Sequence, residues 1–299
     1  MFTTYLYKAF GLTIKSDIEL PELPLALGDF DVTVSLGATP VSIENPLFKG
    51  VRFESSHNEF LLKIDHIASF YVTAGKHIVI QTASNASFDE VRLFLLGSAF
   101  GALIHQRGLL PFHGSSVKIN SSATIFSGHS GAGKSTLAAA FHKKGYPMLS
   151  DDVSVISLTD QGIAYVQPGY PQMKLWSDSI KNLGGEPSSY KTIRKQLEKH
   201  CIPIVECFQK EAIPLQNIFI VAASNLGELN VRPAKGIEKF NLLRNHTYRF
   251  NFIAGAEMQT NHFNYISAIA KEVNVFALTR PTGKFIFDEM IEMILACTK

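Results

Sequence analysis

Along the first hundred residues, apolar and polar positions alternate over short runs. Residues 31–35 alternate and carry the β-branched side chains Val32, Thr33 and Val34, which predicts a strand. Residues 60–64 and 77–80 predict two more. Pro21, Pro24, Pro40 and Pro46 punctuate the region and keep its elements short. The period then changes. Ser87 and Glu90 stand three apart at the head of an apolar run, the pattern of a capping box. The helix it opens should continue to about Gln106, with Gly108 placed to end it. Its apolar stretch, 93–104, is shorter than the roughly 20 residues a bilayer span needs, so it reads as a buried helix.

Beyond Gly108 the order becomes strand, turn, strand, glycine loop, helix. Residues 115–119 form the first strand, Asn120-Ser121-Ser122 a polar turn, and 123–127 the return strand. A helix over 134–144 stops at Gly145, and 153–156 is a further strand. Residues 181–199 are polar and basic, with Lys191, Arg194, Lys195 and Lys199, and predict a loop leading into a short helix; a clamp on phosphates or an acidic peptide and a solvated helix face are its two readings. Residues 218–222 and 274–278 read as late strands and 287–296 as a closing helix, with Met290, Met293, Ile294 and Cys297 on its core face.

Composition narrows the classes. Hydrophobic residues are 46% of the chain, enough to fill a core, so disorder is excluded as its general state. Lys and Arg number 28 against 26 Asp and Glu, and a net charge of +2 gives no case for nucleic-acid binding or a polybasic membrane anchor. Cys201, Cys207 and Cys297 lack metal-ligand spacing and are too few for a disulfide framework. Lys8 interrupts the segment where a signal peptide would be apolar. These points predict a cytoplasmic location with reduced thiols.

The run Gly128-His129-Ser130-Gly131-Ala132-Gly133-Lys134-Ser135 matches the phosphate-loop pattern G-x-x-x-x-G-K-[ST]. Glycines let successive backbone N–H groups turn inward on phosphate oxygens. The helix that follows aims its positive end at the same anion. Lys134 can reach the β and γ phosphates, and the Ser135 hydroxyl can enter a Mg²⁺ shell. The expected nucleotide-binding set is Gly128, Ser130, Gly131, Ala132, Gly133, Lys134, Ser135 and the following Thr136.

Asp151 and Asp152 come seventeen and eighteen residues after Lys134, at the start of an apolar strand. Adjacent carboxylates repel unless solvated or held by a cation, and Mg²⁺ is the cation a nucleotide brings. Neighbouring side chains of a strand point to opposite faces, so one carboxylate faces the metal and the other is left to accept a proton. A solvated turn is the alternative. His113 lies upstream in Pro111-Phe112-His113-Gly114. Phosphoryl transfer recruits Arg to neutralise charge. Arg280, at a strand end before Pro281, is the first candidate, Arg249 the second, and Arg244 is also considered. Trp176 and Tyr170 read as buried by default, with a substrate groove as the alternative.

Together, His113-Gly114, the loop from Gly131 to Ser135, Lys144-Gly145-Tyr146 and Asp151-Asp152 resemble the catalytic domain of the bacterial HPr kinase/phosphorylase family. The matching stretch covers residues 109–156, about a sixth of the chain. Tyr7 to Leu12, Leu20-Pro21-Glu22-Leu23, Leu95-Leu96-Gly97-Ser98 with Gln106-Arg107-Gly108, and Pro168-Gly169-Tyr170-Pro171 with Lys174-Leu175-Trp176 are similar to a subgroup of HPr-kinase-related proteins. Some of these phosphorylate the C-terminal serine of lasso-peptide precursors. The resemblance implies an α/β fold with a mixed α+β sheet, a phosphoenolpyruvate-carboxykinase-type P-loop kinase domain behind a strand-rich N-terminal region. It divides the chain into 1–86, assigned to substrate recognition on position alone, a connecting helix at 87–108, and a kinase domain at 109–299. It implies Asp152 as proton acceptor, His113 as the residue that orients or tunes it, Lys134 on the transferring phosphate, and Ser135 with Asp151 on Mg²⁺. Thr136 departs from the Glu that HPr kinases usually carry there, and their further glycine-rich metal signature is replaced by 168–176.

The implied activity is ATP- and Mg²⁺-dependent transfer to a serine hydroxyl of a peptide or protein, without nucleic-acid or membrane partners and with a homo-oligomer left open. A small-molecule kinase or carboxykinase-like enzyme on the same fold, and a non-catalytic nucleotide-binding regulator, stand as alternatives.

Overall fold

The computed structural model describes residues 4–193, 197–204, 206–225 and 227–298. The chain divides into two compact units, Met1–Pro111 with Tyr248–Tyr265, and Phe112–Thr247 with Ile266–Lys299.

The first unit is built on one mixed sheet of β1 (Tyr5–Ala9), β2 (Leu12–Ser16), β3 (Val32–Leu36), β4 (Phe48–Lys49), β5 (Phe53–Ser55), β6 (Glu59–Ile64), β7 (Ala68–Thr73) and β8 (His77–Thr82). Their spatial order is β1-β2-β3-β8-β7-β6-β5-β4. In β7 the alternation is complete: Ala68, Phe70 and Val72 are buried while Ser69, Tyr71 and Thr73 are half-buried. Antiparallel register sets Phe70 opposite Leu62 on one side and Ile80 on the other, so the inward faces stack.

Residues 88–106 are helical, as the apolar run predicts, in three pieces: α1 (Phe88–Phe94), a π-helical turn (Leu95–Ala99) and α2 (Phe100–Gln106). Gly101 matters there, because a Cβ would stand 2.9 Å from the Tyr248 ring. The expected capping box does not form. The Ser87 side chain makes no cap bond, and the amides of Glu90 and Val91 bond to its main-chain carbonyl instead.

The sequence division at 109 is also revised. Tyr248 N–H donates to Pro111 O, and Phe252 packs on Phe53 and Phe60 with ring centroids 4.7 and 4.4 Å away, so residues 248–265 belong with the first unit.

The second unit carries β9 (Leu110–Ile119) from Phe112 on, β10 (Ser122–Ser127), α3 (Lys134–Lys143), β11 (Met148–Ser150), β12 (Val153–Leu158), β13 (Ala164–Gln167), β14 (Gln172–Trp176), α4 (Ser177–Asn182), β15 (Lys199–Pro203), β16 (Ile213–Ser224), β17 (Asn230–Pro233), α5 (Gly236–Asn245), the part of α6 (Gly255–Glu272) from Ile266 on, β18 (Asn274–Pro281) and α7 (Phe287–Cys297). The main sheet runs β10-β9-β12-β13-β16-β18-β17, with β11 on β9 and a further β10–β16 pairing. Every residue of β10 is buried, its polar Ser122, Thr124 and Ser127 included. Strands β10, β16 and β18 are parallel, so the loop after β10 and the end of β18 lie at one edge of the sheet.

Helices α3 and α7 cover this sheet. Leu137 and Phe141 of α3 and Met290 and Ile294 of α7 share a core with Phe126 and Phe219. Burying each such side chain contributes about 1.5–3 kcal/mol. Strand β15 pairs with β14, Lys199 opposite Trp176, and the short helix expected before Lys199 falls on a stretch only partly within the described residues. Arg194 and Lys195 lie outside the described residues. No helix among the described residues is long and apolar enough to cross a membrane.

Candidate functional site

The loop between β10 and α3 has the backbone the glycine pattern calls for. At Gly128 φ is +146°, and a Cβ would stand 2.2 Å from Val221 O, so no other residue fits there. Gly133, at φ +101°, caps α3 and lies against the Arg280 guanidinium. Lys134 is buried and folds back over the loop, its Nζ donating to Gly128 O at 2.9 Å and His129 O at 3.1 Å. Burial pushes its pKa down, against the pull of Asp152 and Asp151.

Arg280 comes to the same loop from the end of β18. Its Nε donates to Ala132 O at 2.8 Å and its Nη2 reaches Gly131 O at 3.5 Å. It braces the turn through main-chain carbonyls while still lining the cavity beside it.

The two aspartates divide their work, though not by strand alternation. They occupy the turn between β11 and β12, where Asp152 adopts a left-handed φ of +66°. Asp151 is buried. Its Oδ1 accepts from Ser115 Oγ at 2.6 Å and its Oδ2 from Lys174 N at 2.8 Å. Asp152 instead faces the cavity, with Lys174 Nζ 3.0 Å from Oδ2 and Lys199 Nζ 3.7 Å from Oδ1. Burial pushes its carboxyl up, but Lys174 and Lys199 outweigh that and hold it well below the usual carboxylate range.

His113 Nδ1 lies 3.1 Å from Asp152 O. A carbonyl only accepts, so the neutral ring carries its proton on Nδ1. Burial and the nearby Lys134 lower the pKa of His113, and Asp152 partly offsets them. The main chain of His113 is held in turn, its N–H donating to His246 O at 2.9 Å. Burial, with His129 and His113 close by, takes the His246 imidazole down to about 4.

These groups surround a cavity of about 340 Å³. Of the expected residues, His113, Ser130, Gly131, Gly133, Lys134, Ser135, Thr136, Asp152 and Arg280 line it. Gly128 and Ala132 shape the loop from behind, and Thr136 Oγ1 also bonds Ser179 Oγ at 2.8 Å.

Three expectations are corrected. Arg249 is not on the cavity wall: it belongs to the first unit, where its guanidinium meets Ser98 Oγ at 3.3 Å and lies over the Tyr248 and Phe252 rings. Asp151, expected on the metal, spends both carboxylate oxygens on the protein frame. Trp176 is 48% exposed at the cavity edge, not buried, whereas Tyr170 is buried.

Lys174, Lys199 and Lys284 are also on the wall: Lys199 ends the basic stretch offered above as a phosphate clamp, Lys174 lies in a stretch similar to HPr-kinase-related proteins, and Lys284 carries no local signal in the sequence. Lys174 and Lys199 share one face of the β14–β15 pair, a consequence of its register. Among the described residues, no group of three or more His, Cys, Asp or Glu side chains is arranged to hold a metal ion.

No protein-family model matches the chain, and no curated protein matches it. Among solved structures, the HPr(Ser) kinase/phosphatase from Coxiella burnetii aligns with a TM-score of 0.36 and 11% sequence identity, over 63% of this chain and 89% of that one.

Proposed function

We propose that the chain is a nucleoside-triphosphate-dependent phosphotransferase that moves a terminal phosphoryl group, from ATP, to a serine hydroxyl of a peptide or protein. The observation that carries this reading is the sharing of one cavity by Lys134 of the glycine loop and the carboxylate of Asp152. Loop amides and the α3 N-terminus hold the phosphates, and Lys134 neutralises the charge that grows on them. Arg280 keeps the loop in shape. Asp152 takes the proton of the attacking hydroxyl, and His113 fixes the turn that presents it.

The Ser135 hydroxyl, at the head of α3 and on the cavity wall, suits the magnesium ion that accompanies a triphosphate. Ser135 is the residue of this chain that would hold the ion, while the Asp151 carboxylate accepts from Ser115 Oγ and Lys174 N. When bound, the ion neutralises phosphate charge.

The acceptor reading narrows to a serine at a peptide C-terminus, as in the lasso-peptide precursors that the sequence resemblance brings in. Its carboxylate beside the hydroxyl suits a wall that gathers Lys174, Lys199, Lys284 and Arg280. The same cations favour a second reading, a small hydroxy acid as acceptor.

The test is phosphoryl incorporation from ATP into peptides ending in Ser, their amides, free serine and small hydroxy acids. Asp152→Asn should bind nucleotide as the native protein does and transfer nothing measurable. Transfer at the native rate by that variant would end the proposed role of Asp152.

A further inference from the structure

Asp152 meets charged or titratable groups from four elements: His113 on β9, Lys134 at the head of α3, Lys174 on β14 and Lys199 on β15. Two of them cap its oxygens, and the caps are unequal. Lys174 Nζ is at hydrogen-bond distance, 3.0 Å from Oδ2, and its own main chain is pinned by Asp151 Oδ2 at 2.8 Å. Lys199 Nζ, at 3.7 Å from Oδ1, is an ion pair without a hydrogen bond. Lys199 also repels Lys134 across the cavity. Two ammonium groups thus face one space, and the anion they share is the carboxylate expected to act as base.

A base so capped is poorly matched to taking a proton from an alcohol. A terminal phosphate placed on Lys134 changes the balance. It carries more negative charge than one carboxylate, it would relieve the repulsion between the two lysines, and it competes with Oδ1 for Lys199.

We propose that Lys199 has two alternative partners, Asp152 Oδ1 and the terminal phosphoryl oxygens, and that triphosphate binding moves it from the first to the second. This rests on the phosphotransferase reading above and adds a catalytic residue to it. With Lys199 on the phosphate, Oδ1 is open to the acceptor hydroxyl. The hydroxyl oxygen forms a bond to the γ-phosphorus, the bond from that phosphorus to the β–γ bridging oxygen breaks, and the electron pair leaves with the nucleoside diphosphate. The hydroxyl proton goes to Asp152 and later to water. Lys174 stays on Oδ2 throughout as a positioning residue. Base and donor are thereby coupled: the proton acceptor is uncovered when the phosphate to be transferred is in place.

Two measurements on the full chain test this. The first is affinity for ATP and for ADP, read by displacement of a fluorescent nucleotide. Lys199→Met should weaken ATP binding about tenfold or more and leave ADP binding within about twofold, because one charge-assisted contact to the terminal phosphate is lost. Lys199→Arg keeps the charge and should keep the preference for ATP.

The second is transfer to the best acceptor across pH. Lys199→Met should lose about 10²–10³ in kcat, and the acid limb of its kcat/KM profile, which reports the free enzyme, where Lys199 caps Asp152 in the native chain, should move to higher pH. Equal effects on ATP and ADP, or transfer by Lys199→Met at the native rate, overturn the proposal. If the native chain transfers phosphate to no acceptor while ATP affinity still depends on Lys199, the kinase reading falls and the partner exchange stands. A Lys199→Met chain that does not fold shifts the decision to Lys199→Arg, whose loss of the ATP preference would count against the exchange.

Discussion

Ser115 Oγ stands 2.6 Å from Asp151 Oδ1, and both groups are buried. Ser115 belongs to β9 and Asp151 to the turn after β11, so this bond ties the strand that carries His113 to the turn that carries Asp152. Removing the hydroxyl leaves a carboxylate oxygen without that donor in a place water reaches poorly. Ser115→Ala should therefore cost about 1–3 kcal/mol of stability. Asp151→Ala should cost more, since it strands the Ser115 hydroxyl and the Lys174 amide together. Urea unfolding of the three chains measures this. If Asp151→Ala is as stable as the native chain but loses only magnesium-dependent affinity, the frame role assigned to Asp151 is wrong.

Gly128 gives a sharper expectation. A Cβ there would sit 2.2 Å from Val221 O, a contact with main chain of the central β16, which cannot give way cheaply. Gly128→Ala should displace the loop and weaken nucleotide binding by about tenfold or more. Gly131 is the control: it has positive φ but nothing within 4 Å of the Cβ position. Gly131→Ala should show the backbone strain alone, a smaller loss. Equal losses at the two sites would mean that strain, and not the approach to Val221, governs the loop.

Local signals account for much of this site. The loop was legible because glycine spacing, a buried strand and a capped helix are all encoded within a few residues of each other. So was β10, through the polar turn Asn120-Ser121-Ser122 before it and the glycine loop after it. Lys174 and Lys199 were not legible as partners of Asp152. Their convergence depends on which strand pairs with β14, a long-range choice with no local mark. Arg249 failed for the mirror-image reason: it was a candidate only as an Arg of the C-terminal half, but the chain at 248–265 returns to the first unit through Tyr248 and Phe252. At Ser87 the box pattern was present, yet its amide partners are met by the Ser87 carbonyl. The division of labour between Asp151 and Asp152 came from a left-handed turn rather than strand alternation, and a chain of L-residues announces such a turn only weakly.

Acid stability should expose two buried imidazoles. His105, in the first unit, donates from Nε2 to Tyr248 O at 2.8 Å, and burial takes its pKa from 6.5 to about 4. His246, in the second unit, is likewise held down to about 4 by burial and by His129 and His113. The folded chain resists protonation of both, whereas the unfolded chain accepts it near pH 6.5. Between those values the unfolded state binds more protons, so stability falls as pH drops. Above pH 6.5 neither imidazole contributes a slope. Across the window from 6.5 to 4, each should remove about 3 kcal/mol from its own unit. His105→Gln keeps a donor for Tyr248 O without titrating, and should flatten the pH dependence of the first unit alone. Hydrogen exchange followed separately in the two units reads this directly. A His105→Gln chain whose first unit still loses protection between pH 6.5 and 4 as the native chain does would show that other groups carry the acid response.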